Sequence, residues 1–416
     1  MTTNAAGRPG IALENPAFRA YLLARLFGML GFQMQGVAVG WQVYELTGDP
    51  LCLGYVGLAQ FAPSIVLSLI AGDVADRFER RRLLMFCYGI LAACTAALAW
   101  IARSPSPDVA WIYTVLVVVG IGRAFAGPAA QALVPNLVPP EQFPNAVAWS
   151  SSTWHIAVVA GPAVGGLVYA ASSSAIVYVV AAALQLVALF AIGALPIPKV
   201  LPPAAGRSVK RLLAGLEFVW QKKVILGAIS LDMFAVLLGG AVALLPVYAK
   251  DILHTGPTGL GILRSAPALG ATVMSLVLAF RPIQRRTGLV MFGGVFVFGL
   301  ATIVFGLSHN FGVSLAALVV LGAADMVSVF VRSNLVQLAT PDEMRGRVSA
   351  VNLAFIGVSN ELGEFESGAV AACLGTVASV VIGGVGSCVI VGLWMVLFPQ
   401  LRRIDKLEPA SLASGV

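Results

Sequence analysis

The sequence predicts an all-α polytopic membrane protein of twelve transmembrane helices arranged as two pseudo-symmetric six-helix bundles. Three observations predict it. Of 416 residues, 59% are apolar and only 11% charged, with a mean hydropathy of +0.91; soluble domains carry about 25% charged residues. Apolar stretches close to the ~20 residues that cross a hydrocarbon core recur twelve times. The second six repeat features of the first at a nearly constant offset.

The first set of spans falls at 18–44, 52–72, 83–102, 109–133, 145–170 and 175–195. The second falls at 223–249, 258–280, 288–307, 311–338, 348–372 and 376–399. Residues 1–195 thus form a first bundle, 196–222 a cytoplasmic linker, and 223–416 a second bundle with a short cytoplasmic tail. The linker opens on Pro196 and Pro198, ends on Lys222 and Lys223, and carries an amphipathic piece, Val209 to Trp220, suited to the membrane surface. The polar first 16 residues lack the pattern of a cleavable signal peptide. Gly57, Gln60 and Pro63 in the second span match Gly261, Arg264 and Pro267 in the eighth, an offset of 204. Pro140 to Val147 matches Pro341 to Val348 at 201. Two homologous bundles imply a cavity at their interface, near the bilayer midplane.

Charge sets the expected orientation. With the N-terminus inside, twenty basic residues lie in cytoplasmic segments and only Arg103 and Lys250 in outer loops. Both termini are therefore expected in the cytoplasm. The net charge of +7 is a loop feature, which argues against nucleic acid as a partner. Cys52, Cys87, Cys94, Cys373 and Cys388 are scattered, so neither a disulfide framework nor a metal site is indicated. No nucleophile–base pair or phosphate-binding loop points to an enzyme, and no cofactor is implied.

Between the second and third spans lies Gly72-Asp-Val-Ala-Asp76-Arg77-Phe-Glu79-Arg80-Arg81-Arg82. Such a charge density does not lie in hydrocarbon and marks a tight turn at a membrane face. Its arginines suit carboxylates, helix C-termini or anionic headgroups. The pattern Gly-x-x-x-Asp-Arg-x-x-Arg-Arg resembles the signature loop of the major facilitator superfamily. That resemblance implies the superfamily's fold and a gating role for Gly72, Asp76, Arg77, Arg80 and Arg81. Glu79 departs from the pattern, which has a second glycine there.

The remaining candidates are charges and kinks inside spans, where ionisable groups are expensive and usually functional. Arg123, in an Arg-x-x-x-Gly-Pro setting, resembles a helix-4 motif of proton antiporters in which the arginine is linked to proton transfer; a packing role on backbone carbonyls is the alternative. Gly161-Pro162-x-x-Gly165-Gly166 resembles the fifth-helix motif of exporting members. Its proline bends a helix and its glycines permit close packing. Glu361, Glu364 and Glu366 share the eleventh span. Crowded, desolvated carboxylates take up protons readily, so one of these three is the expected coupling or substrate group, Glu364 foremost with Arg123 as its partner, and pairing of Glu366 with a basic side chain is the alternative. Arg25, Gln33, Gln60, Asp232, Arg264, Asp325 and Arg332 are expected to line the substrate cavity, with pairing between helices as the other reading of the charged ones. Asp325 and Arg332, seven apart, share one helix face.

Asn15-Pro16-x-Phe18-Arg19-x-Tyr21-Leu22-x-x-Arg25, Trp41-Gln42-x-Tyr44 with Thr47-Gly48, Asp76-Arg77-x-x-Arg80-Arg81 and Gly363-Glu364-x-Glu366-x-Gly368 together resemble the bacterial enterobactin-exporter branch. That branch is similar to proton-driven macrolide effluxers. The resemblance implies a monomeric secondary transporter of the bacterial inner membrane. Protons would drive export of a siderophore or drug-like amphiphile by alternating access, with membrane lipid as surroundings. An importer or lipid flippase on the same fold is the alternative. A non-transporting sensor or partner subunit is a further one, against which the lack of an extramembrane domain argues.

Overall fold

The computed structural model describes residues 10–195 and 208–406; within those helices the side chains at 68–70, 72–73, 75–77, 208–212 and 342 lie outside the description. Six long helices come first: α1 (Pro16–Thr47), α2 (Pro50–Arg77), α3 (Arg80–Ile101), α4 (Val109–Leu133), α5 (Phe143–Ala171) and α6 (Ser174–Gly193). The shorter α7 (Ser208–Gln221) follows. Then come α8 (Lys223–Leu238), the single turn α9 (Leu245–Val247), α10 (Gly256–Phe280), α11 (Thr287–Leu307), α12 (Phe311–Ala339), α13 (Asp342–Leu374), α14 (Thr376–Leu397) and the short α15 (Pro399–Arg402).

Helices suit these apolar stretches because a helix satisfies its own backbone polar groups where no water can. Their starts are written in the sequence. Asn15 accepts hydrogen bonds from Ala17 N (2.9 Å) and Phe18 N (3.4 Å), with Pro16 as first helical residue. Asp108 caps α4 through Ala110 N at 2.9 Å, and Asn310 caps α12 through Gly312 N and Val313 N. The α1–α2 turn is Gly48-Asp49 alone. Gly48 has φ +64°, the left-handed conformation that ends a helix, and Asp49 accepts from Leu51 N at 2.9 Å to start the next.

Among the described residues, eleven spans are long and apolar enough to cross a membrane. The twelfth is α13, whose 33 residues reach well beyond a ~30 Å core and whose glutamates depress its hydropathy. It packs against α8 and α14. The seventh span departs from the continuous 223–249 helix expected. It stops at Leu238, passes Gly239 and Gly240, and resumes as a 3-10 turn, α9 and a π turn over Tyr248–Ile252. Two adjacent glycines favour helix poorly, and a Cβ on Gly240 would overlap the carbonyl of Gly363 in α13.

The chain divides into two compact units, Met1–Gln42 with Ala59–Ser208, and Val43–Leu58 with Val209–Val416. The sequence assigns 43–58 to the first bundle; by contacts these helix ends group with the second unit. Residues 196–207 of the expected linker lie outside the described residues, as do 1–9 and the tail beyond 406. Within its unit α7 buries Val219 and lays Gly215 on the backbone of Arg347, with Leu213 and Trp220 exposed. The first unit has a core of Phe18, Tyr21, Leu84, Leu133 and Ile192 among others, and the second one of Ile229, Leu231, Phe292, Leu335 and Val351.

Small residues set the closest approaches, as expected where van der Waals packing drives association. In the first unit a Cβ on Gly120 of α4 would overlap Gln60 O of α2. In the second, a Cβ on Gly322 of α12 would overlap Pro267 O of α10. The same helix pair is thus joined by the same device in both units.

Candidate functional site

The loop at 72–82 begins beyond what can be described: the side chains of Gly72, Asp76 and Arg77 lie outside the described residues. Its second half is clear. Arg80 Nη1 donates to Ala132 O at 2.8 Å, at the end of α4. Arg81 donates from Nη1 to Leu195 O at 2.8 Å and from Nη2 to Gly193 O, at the end of α6. Both arginines therefore close helix C-termini, whose last carbonyls have no partner in their own helix and carry partial negative charge. Glu79, where the superfamily pattern has glycine, pairs with Arg82 at 2.7 Å.

In the first unit the embedded candidates sit on α1, α2, α4 and α5. Arg25 Nη1 donates to the Tyr21 hydroxyl at 3.2 Å, which donates to Ala130 O at 3.0 Å. The Arg123 guanidinium lies over the Phe32 ring, 4.3 Å from its centre. Gln33 covers Gly161, where a Cβ would sit 2.5 Å from the Gln33 Cβ, and a Cβ on Gly165 would sit 3.0 Å from Met34 Cα. Gly161, Pro162, Gly165 and Gly166 are buried on α5, which remains helical through Pro162. Gln60 lends its backbone carbonyl to the α2–α4 contact already described.

The second unit holds the carboxylates. Glu364 lies against Gly57 of α2, where a Cβ would come within 2.9 Å of Glu364 Oε2. Glu366 Oε2 accepts from Ser367 Oγ at 3.4 Å. Glu361 is half-buried one turn before Glu364, and Arg264 is half-buried on α10. Asp232 of α8 pairs with Arg332 of α12, Oδ2 to Nη1 at 3.1 Å, both side chains almost fully buried. The same Nη1 donates to Asn352 Oδ1 of α13 at 3.1 Å. Three helices are thus held at one guanidinium, and Asp325 stands two turns before it on α12. Arg123 and Glu364, expected as partners, belong to different units.

Sequence reasoning missed several polar residues. Asn352 is one. Gln35, Thr95 and Gln185 form a buried knot joining α1, α3 and α6, with Thr95 Oγ1 at 2.7 Å from Gln35 Oε1 and 2.8 Å from Gln185 Oε1. Tyr178 OH donates to Gln42 Oε1 at 2.8 Å, and Tyr44 OH donates to Asp251. The available signal was an amide or hydroxyl inside an otherwise apolar span. An open cavity of about 550 Å³ at the ends of α3 and α4, lined by Trp100, Trp111 and Asp108, contains none of the expected site residues.

Chemically, Arg80 and Arg81 satisfy helix-end carbonyls, and the second unit carries embedded carboxylates, the residue type that takes up protons when desolvated. A family profile described as transmembrane secretion effector matches residues 9–414. Enterobactin exporter EntS of an Escherichia coli O6:K15:H31 strain is 28% identical over 404 residues, covering 96% of each chain. The same protein of Shigella boydii serotype 4 is 28% identical over 403 residues, again covering 96% of each. Among solved structures, a bacterial homologue of the human lysosomal transporter Spinster, inward-facing and occupied, superposes with a TM-score of 0.74 at 14% identity, covering 91% of this chain and 95% of that one. A D-xylose–proton symporter superposes at 0.70 and 15% identity, covering 90% and 97%.

Proposed function

Because this chain belongs to the transmembrane secretion effector family, and is a secondary transporter of the major facilitator superfamily rather than an enzyme, we propose that it exports a siderophore or a drug-like amphiphile by proton-coupled alternating access. The observation that carries the reading is similarity to enterobactin exporters along nearly the whole of both chains. The embedded carboxylates of the second unit support the proton-coupled part, since uphill export requires a group whose charge changes during the cycle. The excess of basic residues on one face supports a bacterial inner-membrane protein with both termini in the cytoplasm. The reading takes the protein as a monomer.

Everted membrane vesicles from an efflux-deficient bacterium expressing the full chain test this directly. With an imposed pH gradient, iron-free enterobactin or a macrolide should accumulate inside the vesicles and leak out when the gradient is collapsed. Accumulation unaffected by collapse would remove proton coupling. Efflux from the vesicles driven by the gradient would favour import.

A further inference from the structure

We propose that the cavity where α3 ends and α4 begins binds the headgroup of a zwitterionic membrane phospholipid bearing a primary amine. Asp108 takes the amine beside the Trp100 and Trp111 rings, and Arg103 with the hydroxyls of Ser104 and Ser106 takes the phosphate. The site shares no residue with the embedded charges invoked for transport, so it does not depend on the export reading.

The cavity measures about 550 Å³, within the range of small-molecule sites. Its two walls change character in the same order. Toward the end of α3 the lining runs Ala97, Trp100, Ser104; toward the start of α4 it runs Val115, Trp111, Asp108. Each wall thus passes from apolar through indole to polar, the order in which a bilayer changes from chains to headgroups. Indoles belong at that middle level, and here they are open, Trp100 79% and Trp111 63% exposed. Deeper along the same two helix faces lie Ala93 and Val118, both exposed. A free amine leaves those apolar positions uncovered, whereas the chains of a lipid cover them.

Charge decides which headgroup fits. The turn between the helices carries one base and one acid, Arg103 and Asp108, both exposed. Among the described residues neither is in an ion pair. Asp108 spends Oδ1 on Ala110 N at 2.9 Å, and a carboxylate has further acceptor sites. A zwitterionic headgroup brings an opposite charge to each, and its ammonium gains from the indole faces. A headgroup with phosphate alone matches Arg103 but meets Asp108 as a like charge. The turn is also set before any lipid arrives. Arg103 N and Ser104 N bond back to Trp100 O at 3.1 Å and Ile101 O at 3.0 Å. Pro105 and Pro107 fix φ on either side of Ser106. Little ordering cost remains for binding.

The test uses the full chain labelled with fluorotryptophan in phosphatidylglycerol nanodiscs, with phosphatidylethanolamine of the same acyl chains added in steps. Fluorine spectra read each indole, the Trp100 and Trp111 signals being assigned with W100F and W111F. Both signals should shift and saturate at a low fraction of the amine lipid, while that of Trp220 on α7 should not saturate. D108N should raise the half-saturating fraction about three- to fivefold. Asparagine caps a helix as aspartate does, as Asn310 does for α12, so this change removes the charge and keeps the turn. Should D108N nevertheless not fold, N-acetylated phosphatidylethanolamine, whose amine is blocked, asks the same question of the wild type: it should fail to saturate the two signals. Shifts at Trp100 and Trp111 that merely track Trp220 overturn the proposal. So does a midpoint unchanged in D108N, or saturation by the acetylated lipid. Equal saturation by water-soluble glycerophosphoethanolamine, in discs lacking the amine lipid, also overturns it, by making the site one for a free amine.

Discussion

The interiors of the two units are built from different polar chemistry. The first is tied by neutral groups: Gln35, Thr95 and Gln185 in one knot, Gln42 and Tyr178 in another. Its arginines rest on a tyrosine hydroxyl, an aromatic face and helix-end carbonyls. The second unit is tied by charge, through Asp232, Arg332 and Asn352. A neutral knot keeps the same strength in every protonation state of the protein. A charged pair is weakened when a proton neutralises its carboxylate. The difference teaches that protonation can alter the tie named in the second unit and leaves those named in the first unchanged.

The sharpest way to break this comparison is to remove one partner of the charged cluster. Arg332→Ala leaves Asp232 buried without its cation and should lower stability by about 3–5 kcal/mol, the usual penalty for half of a buried pair. The double variant D232N/R332Q, with both charges gone, should regain most of the loss. Thermal unfolding of the purified protein in one detergent, without ligand, measures both. If Arg332→Ala unfolds near the wild-type temperature, the cluster does not hold the second unit together.

The glycine contacts sharpen the comparison from the other side, because here the units agree. Gly120→Ala forces a methyl into Gln60 O, and Gly322→Ala forces one into Pro267 O. Backbone cannot swing aside as a side chain can, so each should cost about 1–3 kcal/mol. The two losses should be similar. A large loss at one and none at the other would mean that the repeated helix pair is not equally tight in both units.

Much of this was legible in advance, for identifiable reasons. Spans follow from hydropathy because hydrocarbon penalises every exposed polar group, and a repeat is visible wherever Gly, Pro and Arg recur in register. Arg80 and Arg81 were expected at helix ends or carboxylates, and the structure shows helix ends. The break at Gly239 and Gly240 was not legible, since hydropathy averages over a whole span and both glycines read as apolar. Nor was the choice of Asn352 as a partner for Arg332. Which faces of α8, α12 and α13 meet depends on helix rotation about the axis, and that is set by packing with neighbours distant in sequence. The grouping of 43–58 with the second unit has the same origin.

The smallest predicted effect lies in the neutral knot of the first unit. Thr95 Oγ1 is within hydrogen-bonding distance of Leu91 O, Gln35 Oε1 and Gln185 Oε1. A hydroxyl has one proton, so it cannot donate to all three. Gln185 Nε2 is buried and has no hydrogen-bond partner among the described residues. Turning that amide lets it donate to Thr95 Oγ1 and satisfies both groups at once. Thr95→Val removes the hydroxyl with little change of shape and strands the amides, at an expected cost of about 1–2 kcal/mol. Replacing both ends, T95V/Q185L, should recover part of that loss, because matched apolar groups leave fewer donors and acceptors unsatisfied. Neither variant should alter the pH dependence of transport in vesicles, since no charge is touched. A shift in that dependence on Thr95→Val would place a proton-sensitive element in the first unit and end the contrast between a neutral and a charged tie.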